Sequence, residues 1–145
     1  MKKIILASAL AFAGLGFVAC DSDDNTGGEQ SLMVGTWEAT EFTYTMPDGN
    51  SHTWDFDNPI FKQGCATDYL TLSRNNNASL KENNKEGEDC VDVTTTGTWN
   101  EETVTIEGEE QSRTVIDVTE TTLKLEYSYS FMGMVTDITV TYIKQ

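Results

Sequence analysis

Histidine is nearly missing from this 145-residue chain, where His52 is the only one. A Ser-His-Asp or multi-histidine site would rest on one residue with no marked partner, which argues against such catalysis. Cysteine is scarce as well, with Cys20, Cys65 and Cys90 alone. Spaced cysteines and a single histidine lack the clustered ligands of a zinc site. Acidic pairs such as Asp55 with Asp57, or Glu109 with Glu110, follow from an acid-rich composition. No Asp-x-Asp-x-Asp-Gly calcium loop occurs. The expectation is a protein that is no enzyme and carries neither metal nor cofactor. Basic residues number 9 against 24 acidic ones. That balance opposes nucleic acid and anionic bilayer surfaces, favours solubility, and leaves room for a cation or a basic partner.

Prolines number only two, and no stretch carries a convincing helical period. Threonine, Val, Ile and aromatics mark a β protein instead. In Leu123, Leu125, Tyr127, Tyr129 and Phe131 the apolar residues alternate with Lys124, Glu126, Ser128 and Ser130, the pattern of a half-buried antiparallel strand. Ile138, Val140 and Tyr142 repeat it after a break at Met132-Gly133-Met134, which predicts a terminal hairpin. Further strands are expected at about 34–46, 68–74, 78–82 and 90–99, and around Val104 with Ile106 and Ile116 with Val118. In the first of these the phase slips, because Trp37 and Ala39 share one parity while Phe42, Tyr44 and Met46 share the other. A β-bulge near Thr40–Glu41 reconciles them. Eight antiparallel strands with hairpin-like connections can close into a barrel whose interior holds side chains or one small ligand.

The start of the chain reads differently. Lys2 and Lys3 precede a short apolar run, Ile4 to Ala19, in the layout of a secretory signal. Phe17-Val18-Ala19-Cys20 resembles the lipobox of bacterial lipoproteins. The resemblance implies that residues 1–19 are removed and that Cys20 is acylated, as with palmitate, anchoring the protein with no transmembrane helix. Residues 20–31, polar, acidic and glycine-bearing, fit a flexible tether. Ser22-Asp23-Asp24 is similar to acidic signals that send lipoproteins to the outer-membrane cell surface, the periplasmic face being the alternative. Loss of the two signal lysines leaves 7 basic against 24 acidic residues, a net charge of −17. Acylation of Cys20 also leaves a natural pair, so in an oxidising compartment Cys65 and Cys90 are expected to form a disulfide. Closing a loop of about 26 residues would contribute roughly 3 kcal/mol.

Gly35-Thr36-Trp37 opens the first strand, Cys65 precedes the next, and Gly97-Thr98-Trp99 precedes a hairpin. With the final hairpin, these resemble the lipocalin-like domain of bacterial lipoproteins over residues 32–145. The classical C-terminal helix has no counterpart here. Up-and-down topology puts the connections 47–67, 83–89, 108–112 and 131–134 at one end, called upper, and 75–77, 100–102 and 119–122 at the other. Trp37 and Trp99 then plug the base, and Cys65 and Cys90 share the upper rim.

The loop 47–67 is unusually apolar, with Trp54, Phe56, Ile60 and Phe61, and Met132 and Met134 join it from another upper loop. The expected function is membrane-anchored binding of a small apolar or amphipathic ligand at the barrel mouth. Phe42, Tyr44, Tyr127, Tyr129 and Phe131 are the expected lining, with Trp54, Phe56 and Phe61 as lid. The alternative is a filled barrel whose upper loops contact another protein or a glycan.

Overall fold

A computed structural model describes residues 31–57, 62–131 and 133–145. The expected signal segment, Cys20, Ile60, Phe61 and Met132 lie outside the described residues, as does the side chain of Phe131.

The strands are β1 (Gly35–Thr45), β2 (Ser51–Asp55), β3 (Tyr69–Leu72), β4 (Asn77–Glu86), β5 (Asp89–Trp99), β6 (Thr103–Ile106), β7 (Arg113–Val118), β8 (Thr122–Phe131) and β9 (Met134–Lys144). All neighbours run antiparallel, and pairing of β1 with β9 closes a barrel of eight strands. A ninth strand among the described residues, β2, departs from the expected eight. It arises because β3 is only four residues long and covers β1 just from Gly35 to Glu38. The upper part of the same edge, Glu41 to Thr45, would otherwise be bare, and β2 pairs with it. Two upper connections also prove tighter than expected. The β4–β5 ladder continues to Glu86↔Asp89 and turns through Gly87 at φ 63°, and β8–β9 pairs through Phe131↔Met134 around Gly133 at φ 80°.

The register of β1 against β9 shifts between Ala39 and Glu41. The bulge lets Trp37, Ala39 and Phe42 all face inward, as their phase slip required. A second shift lies between Val115 and Asp117, where β7 meets β8. Ile116 is therefore 47% exposed rather than a core partner of Val118, and Val115 packs inward instead.

The lower barrel is filled by its own side chains. Trp37, Leu70, Leu72, Leu80, Val104, Leu123 and Leu125 are buried around Met33. Trp37 Nε1 donates to Met33 O at 2.8 Å and Trp99 Nε1 to Ser73 O at 2.9 Å, so both indoles are satisfied at the base. Lys144 Nζ caps this end, 4.9 Å from the Trp37 ring. Gly97 admits no side chain, since a Cβ there would sit 1.9 Å from the Thr105 carbonyl oxygen across the β5–β6 ladder.

Candidate functional site

Where β1 exchanges β3 for β2, a gap opens between β1 and the upper edge of β4. Residues 62–68 fill it. Thr67 Oγ1 donates to Ala39 O, and Ala39 N to Asp68 O at 2.9 Å. On the other side Asn83 N donates to Asp68 Oδ1 at 2.8 Å, and Asn83 Nδ2 to Thr67 O at 2.7 Å. Lys62 Nζ donates to Asn83 O at 3.1 Å and forms a short ion pair with Asp68. Side chains thus take over the hydrogen bonds of a missing ladder, and the buried charges of Lys62 and Asp68 satisfy each other. Cys65 is bonded to Cys90 at a Cα–Cα distance of 5.5 Å, tying this segment to β5 near the rim.

The expected lid residues Trp54 and Phe56, and the expected lining residues Phe42 and Tyr44, belong to this side. Phe42 and Phe56 meet edge to face at 6.1 Å and pack on the core, and Lys62 Nζ lies 5.1 Å from the Phe56 ring. Tyr44 stacks on His52 at 5.2 Å. Trp54 is half-buried opposite Phe42 in the β1–β2 ladder. None of the four lines the cleft at the upper end of the barrel.

That cleft, half-open and about 490 Å³, lies at the upper end between β4, the β6–β7 connection and upper β8. Glu82, Glu109, Glu110, Arg113, Tyr127 and Tyr129 line it, with Gln111 and Ser128–Ser130. Of the expected lining residues, it brings together Tyr127 and Tyr129. Arg113 forms its floor. It is buried, donates from Nε to Glu109 Oε2 at 3.1 Å and from Nη2 to Glu109 Oε1, and reaches the Tyr142 hydroxyl through Nη1 at 3.0 Å. Its guanidinium carbon lies 5.0 Å from the Tyr127 ring.

Sequence reasoning missed Arg113 and Glu82. A bulge-free β7 with Ile116 and Val118 inward puts Arg113 outside, and only the bulge turns it in. Glu82 carried a readable signal, since it shares the parity of Ala78 and Leu80, both buried.

Burial drives the electrostatics here. It pushes the guanidinium of Arg113 toward neutrality, but Tyr142 and the Glu109 carboxylate more than offset this and hold it charged. Glu82 is raised by burial and by the nearby Asp68, against a smaller opposing pull from Arg113. Burial raises Tyr127 too, and pushes Tyr142 up to about 12 from 10.0. A raised phenol favours the folded state below its unfolded pKa, and that contribution is lost as pH rises through its folded value. Stability should therefore fall between about pH 10 and pH 12. A 295 nm titration of the native protein should show a phenol ionising well after the exposed ones. Tyr142→Phe should remove the latest step; native tyrosines all titrating together near 10 would contradict the burial argument.

Among the described residues no group of three His, Cys, Asp or Glu side chains is placed to hold a metal ion. No protein-family model matches the chain, and no curated protein does. Solved structures do. Bovine odorant-binding protein in complex with a selenium-containing odorant superposes with a TM-score of 0.54 at 16% identity, over 81% of this chain and 74% of that one. The siderocalin Ex-FABP, described as having dual ligand specificities, gives 0.51 at 12%, over 79% and 75%. The bovine lipocalin allergen Bos d 2 gives 0.50 at 15%, over 79% and 73%. At such identities the likeness is one of fold: an eight-stranded lipocalin-type barrel.

Proposed function

We propose that this protein is a lipid-anchored, lipocalin-like binding lipoprotein that takes a small amphipathic ligand at its barrel mouth. One observation carries the binding reading. Above the buried apolar core of the lower barrel, the chain leaves a half-open cleft of about 490 Å³, lined by a buried arginine and two tyrosines. A pocket that combines apolar rings with a few fixed polar groups suits a ligand of mixed character. Several solved proteins of this fold are named for what they bind, such as the odorant of the bovine protein. These supports favour binding over catalysis.

Native mass spectrometry of protein purified from its own host tests the reading. A bound small molecule released on denaturation is expected, and Gln111→Trp, which fills the cleft from a loop, should abolish its retention. An empty barrel that also takes up no amphipathic probe would overturn it.

The anchor rests on Phe17-Val18-Ala19-Cys20 behind the apolar run. The acidic residues after Cys20 support attachment to the outer membrane facing the cell surface, the periplasmic face being the alternative. Cys20→Ser should abolish lipid labelling and release the protein from membranes. Retention of the variant after a high-salt wash would show the anchor to be misassigned.

A second reading has its own support. The packed lower barrel and the exposed Tyr129, Met134 and Val135 on the β8–β9 hairpin suit a surface lipoprotein that contacts another protein or a glycan. A host-purified protein that is empty of small molecules yet crosslinks through this hairpin would favour it.

A further inference from the structure

Building on the reading that the mouth cleft binds an amphipathic ligand, we infer that the ligand's polar end is a cation: an amine on an apolar chain or ring. The charged groups lining the cleft are Glu82 on β4, Glu109 and Glu110 on the β6–β7 connection, and Arg113 at the start of β7. Among the described residues, upper β8 contributes Tyr127, Ser128, Tyr129 and Ser130 to its lining, and none of these is charged at neutral pH. Arg113 is already committed. It grips Glu109 through Nε and Nη2, and its third contact goes to Tyr142. That pair largely cancels, which leaves the carboxylates of Glu82 and Glu110 without an ion-pair partner among the described lining groups, Glu82 feeling only a weaker pull from Arg113.

Glu82 is the more telling of the two. It is half-buried, and its carboxylate forms no hydrogen bond or ion pair among the described residues. A half-buried carboxylate without a partner is costly, and an incoming ammonium supplies the missing one. The two rings strengthen the case, because the face of a tyrosine attracts a cation. Arg113 already exploits Tyr127 in this way, at 5.0 Å. Tyr129, 51% exposed at the rim, offers a second ring. An anionic head would instead meet Glu82, Glu110 and the field of a chain with net charge −15. The cationic group among the described lining residues, Arg113, is already occupied.

The test is calorimetric titration of the intact protein at pH 7 with three probes of one chain length below their micelle concentrations: dodecylamine, dodecan-1-ol and dodecanoate. The amine is expected to bind at least about tenfold more tightly than the alcohol, and the acid most weakly, since one semi-buried charge pair readily supplies that factor. Glu82→Gln should reduce the amine's advantage to a few-fold. The variant should fold at least as well as the parent, because it removes a carboxylate that burial disfavours. Glu120→Gln removes the same charge at the opposite, lower end of the barrel, and should leave the preference intact. Equal binding of amine and alcohol overturns the inference while leaving the cleft a binding site. An equal drop in Glu82→Gln and Glu120→Gln also overturns it, because the preference is then diffuse attraction to an acidic protein. Failure of all three probes removes the binding reading itself.

Discussion

Asp68→Ala should lose about 3–5 kcal/mol of stability, the loss expected when one partner of a buried ion pair is removed. Asp68 does more than neutralise Lys62. Its Oδ1 also accepts the backbone N–H of Asn83 at 2.8 Å, on an edge of β4 that no strand among the described residues covers. Truncation leaves an ammonium only 8% exposed without its counter-charge, and a backbone donor without its acceptor. Relief of the repulsion that Asp68 exerts on Glu82 offsets a little of this. Urea unfolding should show the midpoint falling at constant slope. The double variant Lys62→Met/Asp68→Ala separates the causes. It should recover part of the loss, because the stranded charge is gone while the N–H of Asn83 remains unpaired. A loss under about 1 kcal/mol in Asp68→Ala would mean the pair behaves as an exposed one.

Asp68 and Lys62 also mark the limit of what the chain discloses by itself. Alternation with period two revealed the barrel because each inward residue is apolar and each strand pairs mostly with its sequence neighbour. The Thr40 bulge was legible for the same reason, since Trp37 and Phe42 are both large and fall on opposite parities. The bulge at Ile116 was not. Val115, Ile116 and Val118 are all apolar, so no phase slip registers, and the inward turn of Arg113 stays hidden. Strand β2, Ser-His-Thr-Trp-Asp, carries no apolar alternation, and what calls it into the sheet is the bare upper edge of β1. Lys62 and Asp68 read as ordinary solvated charges. Their burial depends on a gap created by the shortness of β3, a property of the assembled sheet and of no local segment. The cleft was therefore legible in its apolar members, Tyr127 and Tyr129, and in the parity that Glu82 shares with Ala78 and Leu80, while Arg113 stayed hidden.

The disulfide offers the second large effect, and its consequences should be local as well as global. Replacing both Cys65 and Cys90 with serine opens a loop of sequence separation 25. Chain-entropy reasoning puts the loss at roughly 3 kcal/mol. The bond joins the segment 62–68 to the start of β5, and that segment seals the gap between β1 and upper β4. Without it, Asp68 and Lys62 must hold their places by hydrogen bonds whose alternative is water. Opening of this segment should then cost less than global unfolding. Amide hydrogen exchange should accelerate most at residues 62–68 and at Asn83. The base around Trp37 and Trp99, held by the lower ladders and two indole hydrogen bonds, should change only with global stability. The variant should also tolerate Asp68→Ala less well than the parent does, since both changes weaken one seal and their effects couple. Uniform acceleration across the barrel would show that the bridge acts on the unfolded chain alone, with no part in sealing the gap.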